Sequence, residues 1–165
     1  MLDSSEEGDW GTAQRGWSSS FFKGTLSAMA TLNHIGIAVA NLPELKKLFG
    51  LLGMASTHTE SVPDQGVNTH FFPIQVESPA SHFEFLEVLD PKGTVAQFIQ
   101  RRGPGIHHLS FRVEKGELEP LSVRLRDEGY RLIYDQPRAG AHSMRINFIH
   151  PQTAGGILIE IMEPA

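Results

Sequence analysis

At 165 residues, with 40% apolar and 20% charged side chains, the chain is long enough for one domain to bury its own core without disulfide or structural-metal staples. Lys and Arg number 14 against 19 Asp and Glu, a formal charge of −5. That balance argues against wrapping nucleic acid or docking broadly on anionic lipid, and no apolar run approaches the roughly 20 residues of a membrane helix. The absence of Cys excludes disulfides, a thiol nucleophile and thiolate metal sites, so a metal would have to be held by His, carboxylate or water.

Residues 1–28 mix acidic residues with Ser and Gly and hold no sustained period; they are expected to be a poorly ordered tail ahead of one folded domain at 29–165. Their acidity and lack of a basic start with an apolar centre do not fit a leader or an organelle-targeting segment, and a cytoplasmic location is expected. From Leu32 the run Leu-Asn-His-Ile-Gly-Ile-Ala-Val alternates. It predicts a strand with Ile35, Ile37 and Val39 on one face and His34, Gly36 and Ala38 on the other. Asn41 as cap and Pro43 in the first turn predict a helix over 42–52, stopped by Gly53. A polar strand-like stretch follows, then a loop over 61–66, strands over 67–74 and 83–89, and a helix over 94–102 broken by Gly103, Pro104 and Gly105. The pattern then restarts with a strand over 106–113, a helix over about 117–128 stopped at Gly129, and strands over 131–134, 144–149 and 157–162.

The two halves superpose on each other at offsets of 74 residues (His34 to His108) and 76 residues (Glu84 to Glu160). This is a duplication, too long in period for a solenoid. The predicted fold is α+β: two βαβββ modules, about 32–90 and 106–163, forming a curved, mostly antiparallel, incompletely closed barrel-like sheet around a metal cleft. Each module places a His at the start of its first strand and a Glu in its last. A lone His or Glu on a strand is usually a solvated outer-face residue. Here, however, Glu84 and Glu160 sit among apolar neighbours, where a bare carboxylate costs several kcal/mol or neutralises. A divalent cation removes that cost. Two imidazoles and two carboxylates suit cobalt, manganese, zinc, nickel or iron and leave two octahedral positions open for neighbouring substrate oxygens.

At these residues the chain resembles the vicinal oxygen chelate superfamily of glyoxalases, bleomycin-resistance proteins and dioxygenases, and within it the epimerases of methylmalonyl-CoA. The matching segments run from about Leu32 to Glu163: His-Ile-Gly-Ile-Ala-Val from His34, Val-Pro-Asp-Gln-Gly-Val from Val62, Phe-Glu-Phe-Leu-Glu from Phe83, and Gly-Ile-His-His-Leu-Ser-Phe-Arg-Val from Gly105. Tyr134-Asp-Gln-Pro-Arg-Ala-Gly-Ala-His, Asn147-Phe-Ile-His-Pro and Gly156-Ile-Leu-Ile-Glu complete the set. The resemblance implies His34, Glu84, His108 and Glu160 as ligands of one divalent ion per chain, Co2+ first with Zn2+, Mn2+ or Ni2+ as alternatives. It selects His108 over His107, which is left a structural role. It also implies a homodimer acting on an acyl-CoA, with no nucleic-acid or membrane partner. The implied reaction interconverts the (R) and (S) forms of methylmalonyl-CoA by proton abstraction and return through a stabilised enolate.

Glu160 is the candidate base. Some epimerases carry a second Glu three residues beyond the Asp-Gln-Gly loop, where this chain has Thr69, so the second acid/base stays open. Gln65, Ser143 and Arg145 are candidate substrate contacts, His142 and His150 fit loop roles, and Arg101 and Arg102 could meet coenzyme A phosphates. Two other readings remain: a glyoxalase-type lyase or isomerase acting on a glutathione adduct, and a metal-free small-molecule-binding module of the same fold.

Overall fold

A computed structural model describes residues 29–74 and 81–165, except for the side chain of Asp64; the tail expected over 1–28 lies outside the described residues. Strand β1 (Thr31–Val39) leads into helix α1 (Leu42–Leu51), where Asn41 Oδ1 accepts from the Glu44 N–H and Pro43 occupies the first turn. Strands β2 (His58–Val62), β3 (Val67–Pro73) and β4 (His82–Val88) complete the first half, and helix α2 (Thr94–Arg102) crosses to the second. There, β5 (Gly105–Arg112), α3 (Leu118–Asp127), β6 (Arg138–Ala139), β7 (Met144–Ile149) and β8 (Leu158–Pro164) repeat the order.

All eight strands form one sheet, ordered β2-β3-β4-β1-β5-β8-β7-β6. The first strands of the two halves, β1 and β5, meet antiparallel at its centre. Each also pairs in parallel with the last strand of its own half, β1 with β4 and β5 with β8. The remaining pairs are antiparallel. This mixed, curled sheet with three helices is the α+β fold expected from the duplicated pattern.

Alternation decides what each face does. Ile37 and Val39 point to the outer face, where they pack with Phe72, Phe83 and Phe85 against Leu42, Leu45 and Phe49 of α1. Helix α3 covers the other half through Leu118, Leu121 and Leu125 against Val113 and Ile161. On the opposite face Ala38, Val67 and Leu86 receive Val95 of α2, so this helix closes one end of the face that carries His34 and Glu84.

Two expected elements differ. The strand expected over 131–134 is reduced to a single bridge, Leu132 to Ile149. The Asn147 side chain takes the place of a ladder: Oδ1 accepts from the Tyr134 N–H at 3.1 Å and Nδ2 donates to the Tyr134 carbonyl at 3.0 Å. The expected loop over 61–66 starts later, because Ser61 and Val62 still pair in β2. A single turn over Pro63–Gln65 then ends at Gly66, whose φ of 68° favours glycine.

Helix α3 is capped at long range. Its local cap residue, Glu117, makes no side-chain capping bond. The fully buried Glu163 of β8 accepts instead from the N–H groups of Gly116 at 2.8 Å and Leu118 at 3.0 Å, and from Arg145 Nη1 at 2.8 Å. Glu163→Ala orphans those donors inside the fold, and a loss of about 2–4 kcal/mol is expected. Urea denaturation measures it, and a loss below about 1 kcal/mol would show that the first turn of α3 finds other acceptors.

Candidate active site

Strand register assembles the site. His82, His34, Ser110 and Glu160 lie in one row across β4, β1, β5 and β8, and Glu84, Gly36, His108 and Leu158 lie in the row beside it. The first row therefore pairs two His of the first half with a Glu of the second, and the other row pairs a Glu of the first half with a His of the second. Across the central strand pair each His faces a small residue, Ser110 opposite His34 and Gly36 opposite His108. This leaves room for a ring to lie over the neighbouring strand.

The ring nitrogens His34 Nε2 and His108 Nε2 approach to 2.9 Å, and Glu160 Oε2 lies 3.2 Å from His34 Nε2. All three residues are buried. His34 Nδ1 lies 2.9 Å from Asn33 Oδ1, and His108 Nδ1 lies 3.0 Å from His107 Nδ1. If the two Nδ1 atoms carry the protons, both Nε2 lone pairs point into one gap. Facing lone pairs at that distance need a cation or a proton between them. The Glu160 Oε2 atom is also shut off from solvent and has no aligned hydrogen bond. The donor set thus fits a divalent ion on its own geometry.

The electrostatics agree. Burial works against a charge on His34, but the Glu160 contact and the charges of Glu84 and Glu160 outweigh it and hold the imidazole above its ordinary pKa. Burial likewise pushes Glu160 upward, yet His34 and His108 prevail and keep it below the usual carboxylate range. Burial keeps His108 low. The centre of the group therefore favours positive charge, with His108 in its neutral, ligating form.

Not all four expected ligands converge on one point. Glu84 Oε1 lies 3.3 Å from His34 Nδ1, on the far edge of that ring, where His82 Nε2 joins it at 3.0 Å. Two triads thus share His34: His34, His108 and Glu160, and His34, His82 and Glu84. His82 was missed by the sequence reading. Its signal was its place two residues before Glu84, hence on the same strand face. His107 carries more than a passive role: burial and the neighbouring His108 push its pKa down to about 4, so it stays neutral and can accept from His108 Nδ1.

These groups border a cavity of about 530 Å³, together with Gln65, Thr69, Phe71, Tyr134, His142 and Phe148. Among the expected substrate contacts, Gln65 lines it. Arg145 does not. Its strand neighbours Met144 and Ile146 face the cavity, and Arg145 is turned the other way to pair with Glu163 and Glu119. Ser143 is also outside the lining set; its carbonyl accepts from the Ala165 N–H at 2.9 Å. A second groove of about 540 Å³ adjoins the cavity through Thr94, His107 and Leu158 and is bordered by Arg101 and Arg102 at the end of α2.

Residues 33–148 match the model of the glyoxalase/bleomycin resistance protein/dioxygenase superfamily. The chain belongs to that superfamily, and within it to the epimerase-like isomerases. It is 34% identical to the YqjC protein of Bacillus subtilis over 82% of this chain and 94% of that one. It is 30% identical to the ethylmalonyl-CoA/methylmalonyl-CoA epimerase of Cereibacter sphaeroides over 79% of this chain and 95% of that enzyme. Among solved structures, the methylmalonyl-CoA epimerase of Mycobacterium tuberculosis superposes with a TM-score of 0.73 at 39% identity, covering 87% of this chain and 94% of that one. Among the described residues, no helix is long and apolar enough to cross a membrane.

Proposed function

We propose that the chain interconverts the two epimers of methylmalonyl-CoA at the carbon between thioester and carboxylate, as a cytoplasmic homodimer using one divalent ion per chain. The observation that carries this reading is the pair of Nε2 atoms at 2.9 Å beside the buried Glu160 Oε2, at the wall of a substrate-sized cavity. The sequence likeness to epimerases supports it.

His34, His108 and Glu160 would hold the ion, with Glu84 beside His34 as the fourth ligand expected from the sequence. When bound it would supply Lewis-acid stabilisation of negative charge on substrate oxygens; cobalt, zinc, manganese and nickel all tolerate this nitrogen and oxygen set, and the family resemblance puts cobalt first. Asn33 and His107 fix the tautomers of the two imidazoles. Glu160, kept ionised by His34 and His108, takes the proton from the reacting carbon. Phe71 and Phe148 exclude water from it, and Gln65 offers an amide to the substrate carboxylate.

Protein loaded with cobalt and incubated with one epimer in D2O should show both inversion and deuterium uptake at the reacting carbon, at one metal equivalent per chain. Metal-loaded protein that does neither would overturn the proposal. Turnover of a glutathione hemithioacetal instead would favour the glyoxalase-type reading. Light scattering tests the homodimer.

The adjoining groove fits the coenzyme A body, with Arg101 and Arg102 meeting phosphate. Replacing both by Ala is expected to raise KM about 10-fold with kcat little changed, since these contacts hold ground state and transition state alike. An unchanged KM would place the coenzyme elsewhere.

A further inference from the structure

Inversion at carbon needs two acid/base groups, one on each face, and Glu160 supplies only one. Beyond the proposed ion-binding residues, the titratable groups that line the cavity among the described residues are His82, His107, Arg112, Tyr134 and His142. His82 is tied to Glu84 at 3.0 Å. His107 is tied to His108 and wedged edge-on against Phe98. Arg112 is a guanidinium, which does not give up a proton in water, and Tyr134 lies under the Arg138 guanidinium, 4.2 Å from its ring centre.

His142 differs from all of these. Its Nε2 lies 2.9 Å from Glu60 Oε2, an atom closed to solvent and lacking any aligned hydrogen bond. Glu60 is directly opposite Thr69 in the β2–β3 ladder, and Thr69 lines the cavity. The His142 ring is braced edge-on by Phe71 at 5.2 Å and by His58 at 5.7 Å. Its backbone is left-handed, with φ 52° and ψ 37°, and Ser143 follows at φ 55°. Consecutive non-glycine residues in that region are uncommon, and here the strain holds one imidazole at the cavity wall.

We propose that His142 is the second acid/base of the epimerisation, acting through Nδ1, and that Glu60 is its positioning residue. The assignment stands on the epimerase reading above. The negative charge of Glu60, 2.9 Å from Nε2, favours the proton on that nitrogen and leaves Nδ1 free to exchange one. In one direction Glu160 takes the carbon-bound proton and the His142 imidazolium returns its Nδ1 proton to the opposite face. In the other direction the roles reverse, so each turnover removes one proton and delivers one. Among the described residues, the charged or titratable groups facing His142 are Glu60 and His58.

The test uses His142→Asn, because Asn tolerates the left-handed backbone, with Glu60→Gln as a second variant. Each epimer is incubated separately in D2O with metal-loaded enzyme. Wild type should exchange and invert both. The His142→Asn variant should lose at least about 100-fold in inversion and still exchange deuterium into the one epimer whose proton faces Glu160, with metal content unchanged. Glu60→Gln should lower kcat about 10-fold with KM held, by releasing the tautomer. The proposal falls if His142→Asn inverts normally, if only KM rises, or if exchange into both epimers disappears equally. It also falls if wild type binds a second metal equivalent that His142→Asn abolishes, which would make His58, Glu60 and His142 a cation site. Wild-type protein that neither exchanges nor inverts sinks the epimerase reading itself.

Discussion

Glu160→Gln should lower epimerisation about 10²- to 10⁴-fold, the range expected when a positioned acid/base group is removed. The substitution changes almost no volume, and Glu160 sits on β8 next to Ser110 of β5, so the fold should persist. What changes is charge. The amide cannot accept the carbon-bound proton, and it removes one of the two negative charges that favour a cation between His34 and His108. Metal content separates these effects. If the variant still holds one equivalent and inversion is lost, the carboxylate is the base; restoration by saturating metal would reduce Glu160 to a ligand. Activity within about threefold of wild type at ordinary metal concentration would show that proton abstraction occurs elsewhere.

Much of this centre was legible in the sequence because a duplicated strand pattern carries its own geometry. His34 and His108 share a parity with small neighbours, while Ile35, Ile37 and Val39 take the other face, so the period of two alone aims both rings at the same side of the sheet. The predicted helix over 94–102 and strand over 144–149 coincide with α2 and β7. Features that depend on contacts between strands were not legible. Nothing in the local sequence says that Glu60 sits across from Thr69, since register is set by pairing. Arg145 looked like a carboxylate clamp, but its partner Glu163 is 18 residues away on the outer side of β8. His82 escaped because the halves are unequal there: residue 158, which occupies the equivalent place beside His108, is Leu.

The same register makes a small change consequential. Gly36→Ala adds a Cβ that would lie 2.2 Å from His108 Cε1 and 2.5 Å from Nδ1, far inside contact distance. Gly36 stands at a register shift between β1 and β5 but has no positive φ, so the methyl group itself must be accommodated. The obstacle is the ring that has to face His34 Nε2, and rotating it away breaks the 2.9 Å juxtaposition. Metal affinity should therefore fall about 10- to 100-fold or more, the scale seen when a ligand loses its supporting geometry, and inversion should fall with it. The sheet should survive, since neither outer-face cluster involves Gly36. Gly50→Ala is the control. A methyl group there meets nothing within 4 Å, and α1 should gain about 0.5–1 kcal/mol with metal binding unchanged. Isothermal titration of both variants with cobalt, beside their melting curves, decides the matter: wild-type affinity in Gly36→Ala would mean that His108 binds the ion from another rotamer, and that the small residue opposite each histidine is incidental to the centre.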